Sequence, residues 1–191
     1  LIDANSNPLI GTTPTFSATD TGTTNGYGAC SATNTSGVST CTMTSTKAEV
    51  KTLSIATPIV DAGGTVTFEA GMATAGNSNI TGTSSITADG TATSTVTITL
   101  IDADSNPLVG TTPTFSATDT GATNTYNACS ATNASGVSTC TMTSTKAEVK
   151  TLSIATPIVD AGGTVTFVPG AAATATSNIT GTSSTAVSYT H

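Results

Sequence analysis

The chain has 191 residues, carries a formal net charge of −7, and is only 8% charged and 4% aromatic, without a tryptophan. Thr and Ser together supply more than a third of the residues. Four Lys against eleven Asp and Glu exclude the basic surface that nucleic-acid binding requires. A membrane-spanning helix needs about 20 consecutive apolar residues, and the sequence has no such run. With 36% hydrophobic residues and few charges, the composition also differs from that of a disordered chain.

An internal repeat sets the organisation of the chain. Positions 1–85 return at 100–184 with 72 of 85 residue pairs identical, which gives a period of 99 residues. That period is too long for a solenoid repeat and fits a sandwich domain of about 100 residues. The copies diverge mainly at 69–77 and 168–176, where small and polar residues are typical of a linker.

The repeat therefore predicts four segments. Residues 1–70 form a module that lacks its first strand, because no counterpart of 86–99 precedes it. Residues 71–83 form a linker, and residues 84–169 form a complete module. Residues 170–191 form a second linker and a strand-like tail.

Polar and apolar residues alternate with a period of two, which predicts β strands, and helical periodicity is absent. In 91–100, five Thr fall on one face, and Ala92, Val96, Ile98 and Leu100 fall on the other, as in a half-buried antiparallel strand. Further strands are predicted at 114–118, 126–132, 137–143, 148–154 and 164–167. Turn-forming residues separate them. We therefore predict an all-β chain of tandem β-sandwich modules, for which the resemblance described below implies the immunoglobulin-like type.

The apolar face of these strands predicts the core of the complete module. Its members are Val96, Ile98, Leu100, Leu108, Phe115, Val137, Met142, Val149, Leu152, Ile154, Ile158, Val165 and Phe167. This core is modest for a domain of such size, so we expect additional staples to stabilise the module.

The turn after the first strand admits two interpretations. Asp102, Asp104 and Asn106 place oxygen atoms at alternate positions, as in the first half of a calcium-binding loop. The Gly and Glu that complete such a loop are missing, and the first copy has Asn5 in place of Asp104. An Asx-stabilised turn is the favoured interpretation, and Ca²⁺ at a module junction is the alternative.

Two pairs of cysteines flank the hairpin tips of the two copies. In a hairpin without a bulge, the thiols of each pair face each other across the strands. This spacing predicts the disulfides Cys30–Cys41 and Cys129–Cys140. A metal site is the weaker interpretation, because the spacing is not CxxC and the only His is the last residue. The disulfides would indicate an oxidising compartment.

Two further patterns concern the surface. Lys146, Glu148 and Lys150 alternate along one strand, and the triplet recurs in the first copy; we expect it to form a solvated face that discourages edge pairing. Four Asn-x-Ser/Thr sequons lie in predicted hairpin tips and linkers and are candidate glycosylation sites, although short sequons are frequent in any Ser/Thr-rich chain. They are Asn34, Asn79, Asn133 and Asn178.

Several stretches together resemble a known family. Residues 88–92, 96–102 and 106–110 resemble the opening of the bacterial immunoglobulin-like domain of the invasin and intimin type. Residues 133–137 and 143–147 resemble that family's central hairpin and the strand after it. The resemblance implies modules strung into rods on the bacterial surface, which space a binding tip from the cell. The cysteine pair within a hairpin is not general in that family, and no domain like such a tip is present.

The two ends of the repeat suggest a mode of assembly. A module without its first strand exposes an open edge and an apolar groove. The tail alternates so that Thr185, Val187 and Tyr189 share one face, and we regard these residues as a candidate donor strand for the groove of another copy. The alternative is that the chain is a segment of a longer array, whose missing strand is continuous upstream.

No catalytic constellation can be assembled around a single terminal His, so we expect no enzyme activity and no cofactor. A Thr ladder on one strand does not make the regular array that ice binding requires, because sandwich sheets twist. We predict a structural repeat protein that forms an extracellular stalk or filament on a bacterial cell surface. Its partners would be copies of itself or further modules of the same chain. The alternative is an adhesin fragment that binds a host receptor or glycan.

Overall fold

Thirteen short strands and no helix make up the regular structure of the part of the chain that the computed structural model describes. The Thr- and Val-rich segments suit strands because a branched Cβ fits the pleated backbone. The described residues are 1–58, 60–121, 123–157 and 159–181, with the backbone alone for 60–62 and 159–161. Within these ranges, no helix is long and apolar enough to cross a membrane.

The first copy of the repeat forms two small sheets. Its strands are β1 (Thr15–Ala18), β2 (Asn25–Tyr27), β3 (Met43–Ser45), β4 (Val50–Thr57) and β5 (Val60–Thr67). Strands β1, β4 and β5 form a three-stranded antiparallel sheet, with β4 in the middle. Strand β2 pairs with β3 in a separate two-stranded sheet.

The second copy forms two four-stranded sheets that face each other. Its strands are β6 (Asn79–Gly82), β7 (Ile86–Thr87), β8 (Ser94–Thr99), β9 (Thr114–Ala117), β10 (Asn124–Tyr126), β11 (Val137–Ser144), β12 (Val149–Thr156) and β13 (Val159–Val168). One sheet has the order β10-β11-β8-β6, and the other has the order β7-β13-β12-β9. Neighbouring strands are antiparallel except for β13 and β7. The predicted all-β, immunoglobulin-like sandwich fold is confirmed.

Strand β8 lies at the centre of the core. It is paired on both edges, with β11 and with β6, and its side chains Val96 and Ile98 are fully buried between the sheets. Val96 lies opposite Cys140, and Ile98 lies opposite Ile80. The predicted core residues that the structure confirms as buried are Val96, Ile98, Leu100, Phe115, Met142, Leu152, Ile154, Val165 and Phe167.

Part of the predicted core is wrong. Val137 is only half-buried and Val149 is exposed, whereas Leu108 is half-buried and packs against the core. Val149 is 63% exposed because side chains alternate along β12, and the inward positions belong to Lys150, Leu152 and Ile154. Because Lys150 is charged, the sequence pattern does not show that its face of β12 points inward.

The linker was predicted too long. Strand β6 occupies 79–82, inside the predicted linker 71–83, and pairs with β8 from Asn79 opposite Thr99 to Gly82 opposite Val96. Its Ile80 belongs to the core, as does Cys140 on β11, and neither was predicted there. Four residues with a single apolar side chain do not stand out as a strand in the sequence.

Other strand bounds differ as well. Of the predicted strand 126–132, only residue 126 belongs to a strand, β10, and β13 begins at Val159, five residues before the predicted start at 164. Four residues that entered the predictions lie outside the described part of the chain. They are Ile158 of the predicted core and Thr185, Val187 and Tyr189 of the candidate donor strand.

The substitution Ile98→Ala tests whether β8 holds the sandwich together. It should lower the free energy of unfolding by about 2–5 kcal/mol, because it leaves a cavity at a fully buried position. Chemical denaturation followed by circular dichroism measures the loss. The control Val149→Ala, at an exposed site of similar chemistry, should change stability by no more than about 0.5 kcal/mol. Equal effects of the two substitutions would contradict the assigned core.

Candidate functional site

An open apolar groove of about 700 Å³ runs along the first module. It lies between the β1-β4-β5 sheet and β3, and its main apolar lining residues are Phe16, Cys41, Met43, Leu53, Ile55, Val66 and Phe68. The counterparts of these residues in the second module are all buried in the core. In the first module they are exposed or half-buried. Among the described residues, the groove is therefore the core of a sandwich in which part of one sheet has no counterpart.

The missing part corresponds to β8 and β6. Strand β11 pairs with β10 on one edge and with β8 on the other, and β6 follows β8. Its counterpart β3 pairs only with β2 among the described residues. The other edge of β3 thus carries backbone N–H and C=O groups available to a further strand.

A pair of equivalent glycines shows how closely the second strand would approach. A Cβ placed on Gly163 would lie 2.0 Å from the carbonyl oxygen of Ile80 on β6. The same atom placed on Gly64 of the first module would have nothing within 4 Å. Gly is needed at Gly163 because another backbone passes there. The identical residue at Gly64 leaves the room that such a backbone requires.

The groove is chemically suited to bind β strands. An added strand forms main-chain hydrogen bonds with an open edge, and its alternate side chains enter the apolar cleft. Strand β8 has the matching pattern, with Ser94, Val96 and Ile98 buried. A pair of strands such as β6 and β8 would cover the whole groove.

Each module contains one disulfide within its central hairpin. The structure joins Cys30 to Cys41 and Cys129 to Cys140, with a Cα–Cα distance of 4.2 Å in both. Cys41 forms part of the groove wall, and its counterpart Cys140 is buried against β8. The disulfide therefore fixes the hairpin beside the edge where a further strand would pair.

The tip of this hairpin is built by an asparagine and a glycine. The Asn133 Oδ1 accepts hydrogen bonds from the backbone N–H of Ser135 (2.9 Å) and Val137 (3.1 Å). Gly136 adopts a φ of 73°, and a Cβ there would clash with the carbonyl oxygen of Leu100. The first copy repeats this geometry.

The four sequon asparagines are all exposed. Asn34 and Asn133 use Oδ1 to stabilise the hairpin tips. Asn79 differs from its predicted place in a linker, because it lies on β6 opposite Thr99. Asn178 lies beyond β13, outside any strand. Glycosylation at these positions stays a prediction.

The predicted solvated face of the charged triplet is wrong for its last residue, Lys150. The Lys150 side chain is fully buried, and its Nζ lies 2.6 Å from Glu148 Oε1 and 3.8 Å from Asp119 Oδ1. Of the three charges, only Lys146 is exposed to a large extent, at 46%. A buried ammonium persists because two carboxylates compensate its lost hydration. The pairing ties β12 to the loop between β9 and β10.

The first copy contains the same arrangement. Lys51 is fully buried, 2.7 Å from Glu49 and 3.7 Å from Asp20. Hydrogen bonds from Lys51 and Thr21 hold the pKa of Glu49 below its usual value. The ion pair thus forms in the first module, where the groove is open.

The carboxylates around Lys150 are stabilised in their charged form. The hydrogen bond from Lys150 lowers the pKa of Glu148 to about 2 from 4.5, and Thr120 donates to the same carboxylate. Hydrogen bonds from the hydroxyl and N–H of Thr123 lower the pKa of Asp119 to about 2. These groups are structural, and they stay ionised at neutral pH.

The Asp102–Asn106 loop is an Asx-stabilised turn. The Asp102 Oδ1 accepts from the N–H groups of Asp104 (2.9 Å) and Asn106 (2.8 Å), and its Oδ2 accepts from Gly71 N–H and Asn106 Nδ2. Burial raises the pKa of Asp102, but these hydrogen bonds outweigh it and lower the pKa overall. Both carboxylate oxygens are thus occupied by donors. No group of three or more metal-ligating side chains occurs in the described part of the chain.

The two facing four-stranded sheets of the second module, almost entirely antiparallel, define an immunoglobulin-like domain. Residues 77–168 match the family described as "Bacterial Ig-like domain (group 1)". This match covers the second module and begins before β6, in agreement with the observed strands. No protein with a curated description matches the chain by sequence.

Several solved structures share this fold. InvD of Yersinia pseudotuberculosis is 23% identical, with a TM-score of 0.65 over 94% of this chain and 53% of that chain. The Escherichia coli adhesin FdeC is 20% identical, with a TM-score of 0.71 over 88% of this chain and 56% of that chain. Invasin, described as a bacterial integrin-binding protein, is 20% identical, with a TM-score of 0.50 over 89% of this chain and 34% of that chain.

The chain therefore spans about half the length of the first two structures. At these identities the likeness shows the fold alone. Immunoglobulin-like domains of this family and of such adhesins are typically non-enzymatic, and they belong to bacterial surface proteins.

The substitution Lys150→Met tests the buried ion pair through pH. Because the folded-state pKa of Glu148 is lowered, its stabilising contribution is complete above about pH 4.5 and is lost as the pH falls towards about 2. Without Lys150, the free energy of unfolding should depend less steeply on pH in this range. Denaturation at a series of pH values measures the slope. Lys146→Met is the control, since Lys146 lies 3.9 Å from Glu148 and is exposed, and it should leave the slope nearly unchanged.

The two equivalent glycines give a matched test of the groove. Gly163→Ala should destabilise the second module, because the new Cβ meets the backbone of Ile80. Gly64→Ala should leave the first module at least as stable, because the space beside Gly64 is open. Thermal unfolding of the two variants measures the difference. Equal destabilisation would mean that the two sites have the same surroundings.

Proposed function

We propose that this chain is part of an extracellular stalk or filament on a bacterial surface, built from tandem immunoglobulin-like modules. In this proposal, two strands with the pattern of β6 and β8 close the groove of the first module. The observation that carries the proposal is the groove itself, whose lining matches residue by residue the core that β6 and β8 complete in the second module.

The contacts of two tyrosine side chains support a structural role. The Tyr27 hydroxyl bonds with the backbone of Ala18, and its ring packs edge-on against Phe16 at 5.2 Å. Tyr126 repeats these contacts in the second module. Aromatic side chains that anchor partners in many interfaces are here engaged within each module.

Two sources supply strands of the required pattern. One is a further module of the same polypeptide, and the other is a second copy of the chain. For the second source we propose the tail that contains Thr185, Val187 and Tyr189, on the basis of its sequence alternation. Because the groove belongs to the first module and the candidate donor follows the second module in sequence, exchange between copies would be head to tail and would propagate as a filament.

A self-complemented variant tests the closure of the groove. The sequence of residues 77–99 is placed before Leu1, which continues the natural period of 99 residues. The first module should then unfold at a higher temperature, because the apolar groove is buried. The control carries Asp at the added counterparts of Val96 and Ile98. Gly64→Ala in the extended chain should cancel the gain.

Sedimentation of the original chain over a range of concentrations distinguishes the two sources. Association that disappears in the self-complemented variant points to strand exchange between copies, whereas a monomer at all concentrations points to neighbouring modules of one polypeptide. An extended chain that is no more stable than its Asp-containing control would refute closure of the groove by strands. Binding of that extended chain to host cells or to a glycan array would instead favour an adhesin fragment.

A further inference from the structure

One side chain of the second module connects it to the first. The Asn106 Nδ2 donates to the carbonyl oxygen of Thr46 (2.9 Å), and its Oδ1 accepts from the N–H of Ala48 (2.9 Å). Thr46 and Ala48 belong to the turn between β3 and β4. The amide of Asn106 thus pairs with one C=O and one N–H of the first module, as a neighbouring backbone would.

Asn106 is held in position by the loop around it. Its backbone N–H and its Nδ2 donate to Asp102, at 2.8 and 2.9 Å, and both residues are almost fully buried, at 3% and 4% exposure. The connection between the modules binds the same loop, through Gly71 N–H on Asp102 Oδ2 and through Asn77 Nδ2 on the Asp102 carbonyl. An Asp at position 106 would lack the donor for Thr46 and would place a second carboxylate beside Asp102.

The first module carries the same loop with the same internal geometry. The Asp3 Oδ1 accepts from the N–H groups of Asn5 (2.9 Å) and Asn7 (2.8 Å), and Asn7 Nδ2 donates to Asp3 Oδ2 (3.0 Å). Ser6 and its counterpart Ser105 share a φ of 68°. Asp3 and Asn7 are exposed, whereas Asp102 and Asn106 are buried. The amide of Asn7 is therefore preorganised on an accessible surface.

The second module carries the matching turn. Its sequence from Ser144 to Glu148 is identical to that of Ser45 to Glu49. In both copies the serine Oγ accepts from the lysine N–H, at 3.1 Å for Ser144 and 3.0 Å for Ser45. Ala147 is exposed, whereas its counterpart Ala48 is half-buried under the second module. Each module thus carries both halves of the contact, the Asx loop and the Ser-Thr-Lys-Ala-Glu turn. In this chain the loop of the first module and the turn of the second are exposed.

We propose that the Asx loop and the Ser-Thr-Lys-Ala-Glu turn form a repeated docking joint. The Asp3–Asn7 loop binds this turn of another module of the same sequence, and the turn at Thr145–Ala147 binds the Asx loop of a further one. The partner is a like module because the contact at Asn106 already shows the two halves fitting each other. The joint deepens the proposed stalk, since it gives each module a defined orientation on the next.

Amide hydrogen exchange on the full chain, read by NMR, tests the joint at Asn106. Asn106→Ala should speed exchange of the Ala48 amide by about tenfold, the effect of one lost hydrogen bond. Asn7→Ala removes the same internal loop contacts from the first module and should leave Ala48 unchanged. Retained protection of the Asp104 amide shows that the mutated loop is still folded. Unchanged protection of Ala48 in Asn106→Ala would overturn the proposal.

A chain lengthened by a third module tests the exposed half of the joint. The sequence of residues 72–168 is appended after Gly170, again in the natural period. Exchange of the Ala147 amide should slow by about tenfold, and Ala at the appended counterpart of Asn106 should restore the original rate. Equal Ala147 rates in the lengthened and original chains would overturn the proposal.

Mixing separate copies at high concentration identifies the source of the partner. Slower exchange of Ala147 with added unlabelled chain, but not with added Asn7→Ala chain, extends the joint to contacts between copies. Slower exchange only in the lengthened chain assigns it to neighbours within one polypeptide. Both results support the joint. Its failure is distinguishable from failure of the groove proposal, which is read from the unfolding temperature of the first module.

Discussion

The sandwich depends on the apolar side chains that β8 and the residue after it bury between the two sheets. Val96 and Ile98 of β8 and the adjacent Leu100 are fully buried, and each such side chain contributes about 1.5–3 kcal/mol. Their sum is comparable to the whole stability of a small domain, about 5–15 kcal/mol. A module without this strand keeps its remaining strands, as the first copy shows, but its core stays open as a groove. In the proposed stalk, the same strand pattern would serve both stability and assembly.

The few charges of the chain are concentrated where they connect elements. Two of the four lysines are fully buried, each between a glutamate two residues earlier in the chain and an aspartate from a different part of its module. A composition that is poor in charge therefore does not mean that charged side chains have no structural role. In the second module, the ion pair holds the loop between β9 and β10 against the sheet. The hydrogen-bonded pair Asp102–Asn106 contacts the turn between β3 and β4 of the first module.

Much of the fold could be predicted because strand periodicity is clear where one face is apolar. Residues 94–100 and 164–167 follow this rule, and their inward side chains are those of the core. The rule fails where a polar side chain is buried with a partner. Because Lys150 is charged, the sequence did not reveal that its face of β12 points inward. Strand β6 was missed because Ile80 is its only large apolar residue.

The groove could be anticipated from the repeat, whereas the joint could not. Comparing the two copies shows which strand has no counterpart, and this requires no coordinates. The role of Asn106 depends on a contact with Thr46 and Ala48, about 60 residues earlier in the chain. The Asp-x-x-x-Asn pattern itself indicates only a turn, since its internal hydrogen bonds are satisfied locally.

The hairpin disulfides also limit how far a stalk can lengthen under tension. The linked cysteines are 11 residues apart in sequence, and their Cα atoms lie 4.2 Å apart. An extended chain spans about 3.3–3.6 Å per residue, so each bridge withholds more than 30 Å of contour length from a module that is pulled open. In the proposed stalk, each module that unfolds under tension would therefore lengthen the fibre by a shorter distance.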